Sequence, residues 1–373
     1  MPEGNGNTRF YDSREKYRLY ATTTNEKWAI AQRIGRELAS LEPVPPAIRV
    51  FDAGMGDATV LSLVMRQLHQ RMPTVPQLVV AKEISLEDVR IGLEHLADRF
   101  VEHPMTVLVL TNMYFRDAVR LTPRQNPERL KLFDVALHGS SGHAFDEQIR
   151  ALAPVLADGW RVEVDAATGN PHPAQPFVLV VYRADHRFVL DRAIPRRGEP
   201  LDGHDLIIAS QPYRARTTAE RKVRLVLAPL AQALAPGGRM VTVQSYGHDA
   251  GMELVRALWP DEDPFQTPRN VLIDELRRAL ADDEGLKPEA GTDNDAIFRY
   301  EMHALSSELS ASIGTSSVLA AFNAACYVAQ IDEARFRHAI SSDDYFDATC
   351  AVLQRHGGLW FNDESFVIRR RAR

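Results

Sequence analysis

One short run carries the sharpest chemical signal: Val50-Phe51-Asp52-Ala53-Gly54-Met55-Gly56-Asp57-Ala58, an apolar strand entering a Gly-x-Gly turn that opens a helix. Glycines let the backbone turn tightly and approach a ligand, and the helix start offers unpaired N–H groups. A dinucleotide fingerprint needs a third small residue where Thr59 stands, and Asp52 precedes the glycines where a pyrophosphate would be repelled, so NAD and FAD are disfavoured. An acidic residue there suits a ligand that carries an ammonium group. Glu83, 31 residues beyond Asp52 at the end of the next apolar run, is placed to accept from a ribose diol. After a later strand comes Ser210-Gln211-Pro212-Tyr213, with Ser210 on the cofactor side and Gln211 and Tyr213 as catalytic candidates. A hydroxyl substrate would want a general base such as His248, in Ser-Tyr-Gly-His, or His204. Tyr17, Tyr20 and Trp28 are candidates for an aromatic lid that receives a cation on ring faces. The run His138-Gly139-Ser140-Ser141-Gly142-His143 lacks the Gly-x-Ser-x-Gly spacing of a nucleophile and reads as a polar turn or helix cap. No His-Glu-x-x-His pattern occurs and no metal is expected. Asn323, polar within an apolar helical run, is either a substrate contact or the partner of buried backbone.

Short Val/Ile/Leu runs alternating with amphipathic stretches position these residues, and they predict an α/β chain: a doubly wound, mostly parallel sheet. The strands are Ile48–Asp52, Gln77–Ala81 and Met105–Leu110, then either Leu132–His138 or His204–Ala209, and finally Met240–Gln244. The second alternative is preferred, because its helix closes at Pro236-Gly237-Gly238 before a Val-rich strand. Residues 1–45 then form a helical cap, 46–250 the sheet domain with an α+β insertion at 114–203, and 251–373 a mainly helical region for substrate binding or oligomerisation. Within the insertion, Phe177–Tyr182 and Arg187–Leu190 read as a hairpin. Helices are expected at Val271–Ala281, Ala296–Leu309, Ser316–Ile331 and Tyr345–Gln354, and Trp360–Arg370 alternates like a terminal strand that pairs antiparallel with the sheet.

Phe51-Asp52-Ala53-Gly54-Met55-Gly56-Asp57-Ala58-Thr59, then Val79-Val80-Ala81-Lys82-Glu83-Ile84-Ser85, then the strand, helix, Ala-Pro-Gly-Gly and strand resemble class I S-adenosylmethionine-dependent methyltransferases, over roughly Ile48 to Asn112 and Gly203 to Tyr246. The resemblance implies a Rossmann-like fold with S-adenosylmethionine as cofactor. Asp52, Gly54 and Gly56 would cradle its methionyl part, Glu83 its ribose, and Asn112 and Met113 its adenine. Ser210 to Tyr213 resembles the Asn/Asp/Ser-Pro-Pro-aromatic motif of enzymes that methylate exocyclic amines, except that Gln211 replaces the first proline. The same loop and the closing Phe361-Asn362-Asp363-Glu364-Ser365-Phe366 are also similar to small-amine methyltransferases such as histamine N-methyltransferase. The implied reaction is methyl transfer to a nitrogen or oxygen of a small molecule, under a pocket formed by the insertion and the helical C-terminal half. The alternatives are a peptide or RNA substrate, or a methyltransferase-like scaffold without chemistry.

Composition narrows the partners. The 373 residues, 45% of them apolar, are enough for a large core, and a net charge of −6 argues against sequence-independent binding to nucleic acid. No apolar run approaches a membrane span, so a cytoplasmic protein acting on a small molecule is expected, with a homodimer through Ser316–Ile331 as one option. Two cysteines, Cys326 and Cys350, both in apolar helical patterns, argue against a disulfide framework.

Overall fold

The computed structural model describes residues 14–164, 171–303 and 314–372. Strands β1 (Ile48–Asp52), β2 (Gln77–Lys82) and β3 (Thr106–Thr111) are parallel, and β8 (His204–Ser210) and β9 (Leu234–Ser245) continue the parallel sheet on the other side of β1. β1, β2 and β3 are buried on both faces, which explains why their sequences read as largely apolar runs. In β1, Val50 joins the core under helices α2 (Glu26–Leu38), α3 (Thr59–Arg71) and α4 (Leu86–Leu96), while Phe51 joins the core on the opposite face. The terminal strand β12 (Trp360–Arg370) pairs antiparallel with β9, with Asp363 opposite Ser245, and its outer edge is taken by β10 (Leu286–Glu289) and β11 (Ile297–Glu301). The result is a doubly wound, Rossmann-like sheet, parallel through its centre and with antiparallel strands toward both edges.

The two segments that compete in sequence for the place beside β1 both enter the sheet. β8 takes that place, as preferred. The other segment, β4 (Lys131–Leu137), lies at the far edge beside β7 (Phe177–Arg183), which itself pairs antiparallel with β3. Residues 114–203 therefore extend the sheet by two strands, and only the small ribbon of β5 (Val162–Val164) and β6 (Pro171–Pro173) stands off it.

Three local expectations are corrected. Arg187–Leu190 is helical and forms no hairpin with β7: Arg183 and His186 both donate to Asp185, which turns the chain as β7 ends and buries Leu190. Ile297–Glu301 is a strand where a helix was expected, because it completes the edge of β12; residues 304–313 lie outside the described residues. The Ala-Pro-Gly-Gly segment does not end as a loop but runs within β9, where the pairing with β8 slips between His204 and Leu206.

The remaining large core lies in the C-terminal region. Helix Gly314–Val328 packs with Ala250–Leu258, Asp344–His356 and helix α1 (Arg14–Thr23), whose Tyr20 is buried among them. No described helix is long and apolar enough to cross a membrane.

Gly238 shows how tightly the β8–β9 slip is built. A Cβ there would stand 2.6 Å from the carbonyl oxygen of His204 and 2.8 Å from that of Ala235, both backbone atoms that cannot swing aside. Gly238→Ala is expected to cost about 1–3 kcal/mol of stability, the usual range for overpacking, read as a lower midpoint in urea unfolding.

Candidate functional site

In an open α/β sheet, ligands bind beyond the carboxyl ends of the strands where the strand order reverses. Here that point lies between β1 and β8. The chain leaving β1 is held there by backbone: Ala53 donates to the Ile208 carbonyl at 2.9 Å and Met55 to the Lys82 carbonyl at 3.1 Å. Gly56 takes a positive φ of 54° and Ala58 one of 63°, so the turn enters α3 through left-handed residues, and Asp57 caps Thr59 N–H at 3.0 Å. A Cβ on Gly54 would meet nothing within 4 Å, so this glycine borders open space. The space is a cavity of about 210 Å³.

Asp52, Gly54, Gly56, Glu83, Ser210, Gln211, Tyr213, Tyr17 and Tyr20 all line this one cavity. Asp52 is 3% exposed; one oxygen accepts from Gly54 N–H at 3.1 Å, and among the described residues no cation reaches it. Burial, reinforced by the nearby Glu83 charge and only partly offset by the Gly54 bond, pushes Asp52 up to about 7. Glu83 is more committed than its sequence suggests. Its carboxylate accepts from Gly56 N–H at 2.9 Å, Ile84 N–H at 2.7 Å and Ser85 N–H at 2.9 Å, tying the glycine turn to the end of β2. A carboxylate has about four acceptor positions, so room for one further donor remains.

The opposite wall is the loop after β8. Gln211 holds a φ of 47°, unusual for a residue with a side chain; its N–H donates to Val243 and its Nε2 to the Ser245 hydroxyl at 3.1 Å. Gln330, with φ 53°, also lines the cavity and accepts from Ala215 N–H. Tyr213 donates to Gln244 at 3.0 Å, the Lys222 ammonium lies over its ring, and burial raises its hydroxyl far above neutrality. Tyr213 therefore shapes the wall and exchanges no proton near neutral pH.

Six residues singled out in sequence are not brought to the cavity. Asn112 stands at the end of β3 as expected, but it donates to the carbonyls of Gly159 and Gln175 and accepts from Phe177 N–H, clamping β7 onto β3; Met113 packs into the core beside it. His248 is exposed, has a φ of 55° and lies tilted against the Tyr246 ring. Trp28 faces solvent, 56% exposed. His204 sits at the wrong end of β8, its Nε2 donating to the Val119 carbonyl at 2.8 Å, and burial pushes it down to about 4. Asn323 donates to the Lys16 carbonyl, anchoring α1 to helix Gly314–Val328. Ser141 caps the helix Gly142–Arg150, and no described residue of 114–203 lines the cavity. The insertion therefore does not form the roof.

The roof comes from both ends of the chain. Arg14, Glu26 and Lys27 from α1 and α2, with Tyr327 from helix Gly314–Val328, line the cavity and were not singled out in sequence. Glu26 and Lys27 stand next to Trp28 in the helix read as a lid, but helical spacing alone did not show which of its faces looks inward. Lys27 pairs with Asp57 at 2.5 Å and donates to the Tyr17 hydroxyl, and Arg14 pairs with Asp88 at 2.7 Å. Glu26 is 8% exposed, and burial drives it above the usual carboxylate range against the pull of Tyr20 and Lys27.

No family model matches the chain, and no curated protein matches its sequence. Its backbone is similar to geranyl diphosphate methyltransferase with sinefungin bound, at 13% identity over 91% of this chain and 78% of that one, with a TM-score of 0.32. It is also similar to a SAM-dependent methyltransferase from Thiobacillus denitrificans in complex with S-adenosyl-L-homocysteine, at 12% identity over 91% of both chains, with a TM-score of 0.30. A third likeness is to the rRNA methyltransferase aviRa from Streptomyces viridochromogenes, at 18% identity over 57% of this chain and 72% of that one, with a TM-score of 0.25. Overlap this loose carries no argument about chemistry, which must come from the cavity.

The cavity makes a prediction about stability. Asp52 keeps its proton up to about 7 when folded but loses it near the ordinary carboxylate value when unfolded, so its burial costs nothing in acid and progressively more between about pH 4 and 7. Asp52→Asn keeps the acceptor for Gly54 and removes that cost. The variant is expected to match the wild type near pH 4 and exceed it at pH 8, by up to about 4 kcal/mol, in urea unfolding followed across pH.

Proposed function

We propose that the chain is an S-adenosylmethionine-dependent methyltransferase that transfers a methyl group to a nitrogen or oxygen of a small molecule. The observation that carries this reading is a buried carboxylate, Asp52, without a cation, beside a glycine that borders open space at the point where the strand order reverses. Such a carboxylate is retained at a cost in stability, which an incoming ammonium group offsets. The residues fit the cofactor in three places. Asp52 would take the ammonium of its methionyl part, Gly54 and Gly56 would let the chain pass close, and the remaining acceptor position of Glu83 would take a ribose hydroxyl.

The bound cofactor supplies a methyl group on a sulfonium, an electrophile that needs no further activation. What remains for the protein is orientation and exclusion of water. Gln211, fixed through Ser245, and the Tyr213 wall set the far side of the space, and the roof formed by α1, α2 and helix Gly314–Val328 closes the near side. A roof built from helices favours a small acceptor over a polymer.

Calorimetric titration with S-adenosylmethionine and S-adenosylhomocysteine tests this reading. Wild type is expected to bind both, and Asp52→Ala to lose about 30-fold or more in affinity, the cost of removing one partner of a buried charged pair. Glu83→Ala is expected to weaken binding as well, because the glycine turn loses its tie to β2. Affinity should fall as pH drops through 7, where Asp52 takes up its proton, and Asp52→Asn should flatten that dependence. A folded wild type that binds neither compound overturns the assignment. Once an acceptor is found among small amines and phenols, His248→Ala is expected to turn over like wild type, since His248 lies outside the cavity.

A further inference from the structure

A second cavity, of about 260 Å³, shares no lining residue with the first. It lies between the later turns of α2 and the outer strands β10 and β12, whereas the first cavity is lined by Glu26 and Lys27 from the opening turn of α2. The register of β12 separates the two along the sheet. Asp363 stands opposite Ser245, which lines the first cavity, while Arg369, which lines the second, stands opposite Arg239, toward the amino ends of the parallel strands.

Arg33, Arg36 and Arg369 line this cavity together with Glu37, Glu289 and Asp295, and the three acids are already engaged. Glu289 pairs with Arg369 at 3.0 Å. Glu37 is shared by two guanidinium groups: one oxygen accepts from Arg33 at 3.0 Å and the other from Arg239 at 2.7 Å. Asp295, exposed at the rim, accepts from the Thr292 hydroxyl at 2.6 Å. With Arg239 counted, four arginines meet three carboxylates, and the arginines keep unused donors. Arg33 is only 7% exposed. Its Nε donates to the Ser365 hydroxyl at 2.8 Å, and Ser365 donates in turn to the Ala296 carbonyl at 3.0 Å, which fixes the guanidinium plane. The Arg33 Nη2, with two N–H donors, has no partner among the described residues and is not sealed from solvent, so its donors open on the cavity. Arg36 lies three residues on along α2, a neighbour on the helix surface, and makes no hydrogen bond or ion pair among the described residues. The helix dipole accounts for a cation in the last turn of α2, but not for a nine-tenths buried guanidinium whose donors are left unmatched.

We propose that this cavity binds a small oxyanion, the phosphoryl or carboxylate head group of a small molecule, between the Arg33 Nη2 and the Arg36 guanidinium. Planar guanidinium groups match the oxygens of either head group and hold them through paired, charge-assisted hydrogen bonds. Ser365 and Glu37 orient Arg33 before a ligand arrives, so that half of the site loses little side-chain freedom on binding, and Arg36 closes on the ligand from the solvent side. Glu289 and Asp295 at the same cavity repel an extended polyanion, so the site takes a single head group and not a nucleic-acid backbone. The inference is independent of the methyltransferase reading, because no residue of the cofactor cavity takes part in it.

The test is calorimetric titration of the full chain with inorganic phosphate and, separately, with succinate, at constant ionic strength; the two probes tell a phosphoryl ligand from a carboxylate one. At least one of them is expected to bind wild type, and Arg36→Ala to weaken that binding about 10-fold or more, the loss expected for one charge-assisted contact. Arg36 is exposed and unpaired among the described residues, so this variant should unfold at the wild-type urea midpoint, and a loss of binding is then not a loss of folding. Arg33→Lys, which keeps the charge and removes the planar fork, should weaken binding as well. Arg278→Ala removes an exposed arginine of helix Arg269–Ala279 that does not line the cavity, and should bind like wild type. Folded wild type that binds neither probe overturns the proposal. So does binding that survives Arg36→Ala, or an equal loss in Arg36→Ala and Arg278→Ala, which would mark general attraction to surface charge.

Discussion

A carboxylate taken out of water with no cation beside it is among the more expensive things a fold can carry, and Asp52 is one. The cost is held in place by the parts of the structure that are hardest to move. β1 is clamped between β2 and β8, its side chains are buried on both faces, and the backbone after Asp52 is tied to Ile208 and Lys82. Even the next acid along, Glu83, is spent on keeping the glycine turn where it is. The rigid centre of the sheet thus fixes the position of a charge that the protein alone leaves unmatched.

The rest of the molecule manages the acidity that surrounds this centre. Lys27 and Arg14 neutralise Asp57 and Asp88 from helices near the start of the chain, and helix Gly314–Val328 closes from near its end. α1 is seated by Asn323, by the ion pair of Lys16 with Glu333 and by the contacts of Tyr20, so the roof depends on elements far apart in sequence. β12 contributes too. By lying antiparallel to β9 it brings Asp363 beside Ser245, and with it a buried acid that the core tolerates only in its neutral form, because burial and the neighbouring Glu26 and Asp249 raise it far above the carboxylate range.

What was legible in the sequence follows the same division. The placement of Asp52, Gly54, Gly56 and Glu83 around one cavity was readable because it is set by backbone conformation and strand ends, which are local properties. β12 was readable because Phe366 and Ile368 fall on one face of a stretch that alternates enough for a strand. Asn112 was misread for a topological reason: β7 arrives antiparallel beside β3 from sixty-odd residues downstream, and its backbone takes up the amide that would otherwise face a ligand. His248 and His204 had suitable chemistry, but only the fold shows that one faces solvent and the other lies at the amino end of its strand. Glu26 carried no signal of its own. An acid in the first turn of a helix is ordinary, since the helix dipole favours it there, and only the fold shows it buried beside Tyr20 against the cavity.

The insertion poses the last structural question, since ninety-odd residues were expected to cover the site and none of those described does. Its strands lengthen the sheet at the edge away from the cavity, and β4 leaves Phe133 40% exposed there. The cavity is therefore bounded by the central strands and by helices from the two ends of the chain, with its polar groups drawn from a few turns of each. In such an arrangement the wall made by the strand ends and the wall made by the helices are separable. On the proposed reading, the turn after β1 and the end of β2 would hold the cofactor, while α1, α2 and helix Gly314–Val328 would face the acceptor. On that reading, specificity for the acceptor would reside in the helices, and the chemistry common to any acceptor in the strands.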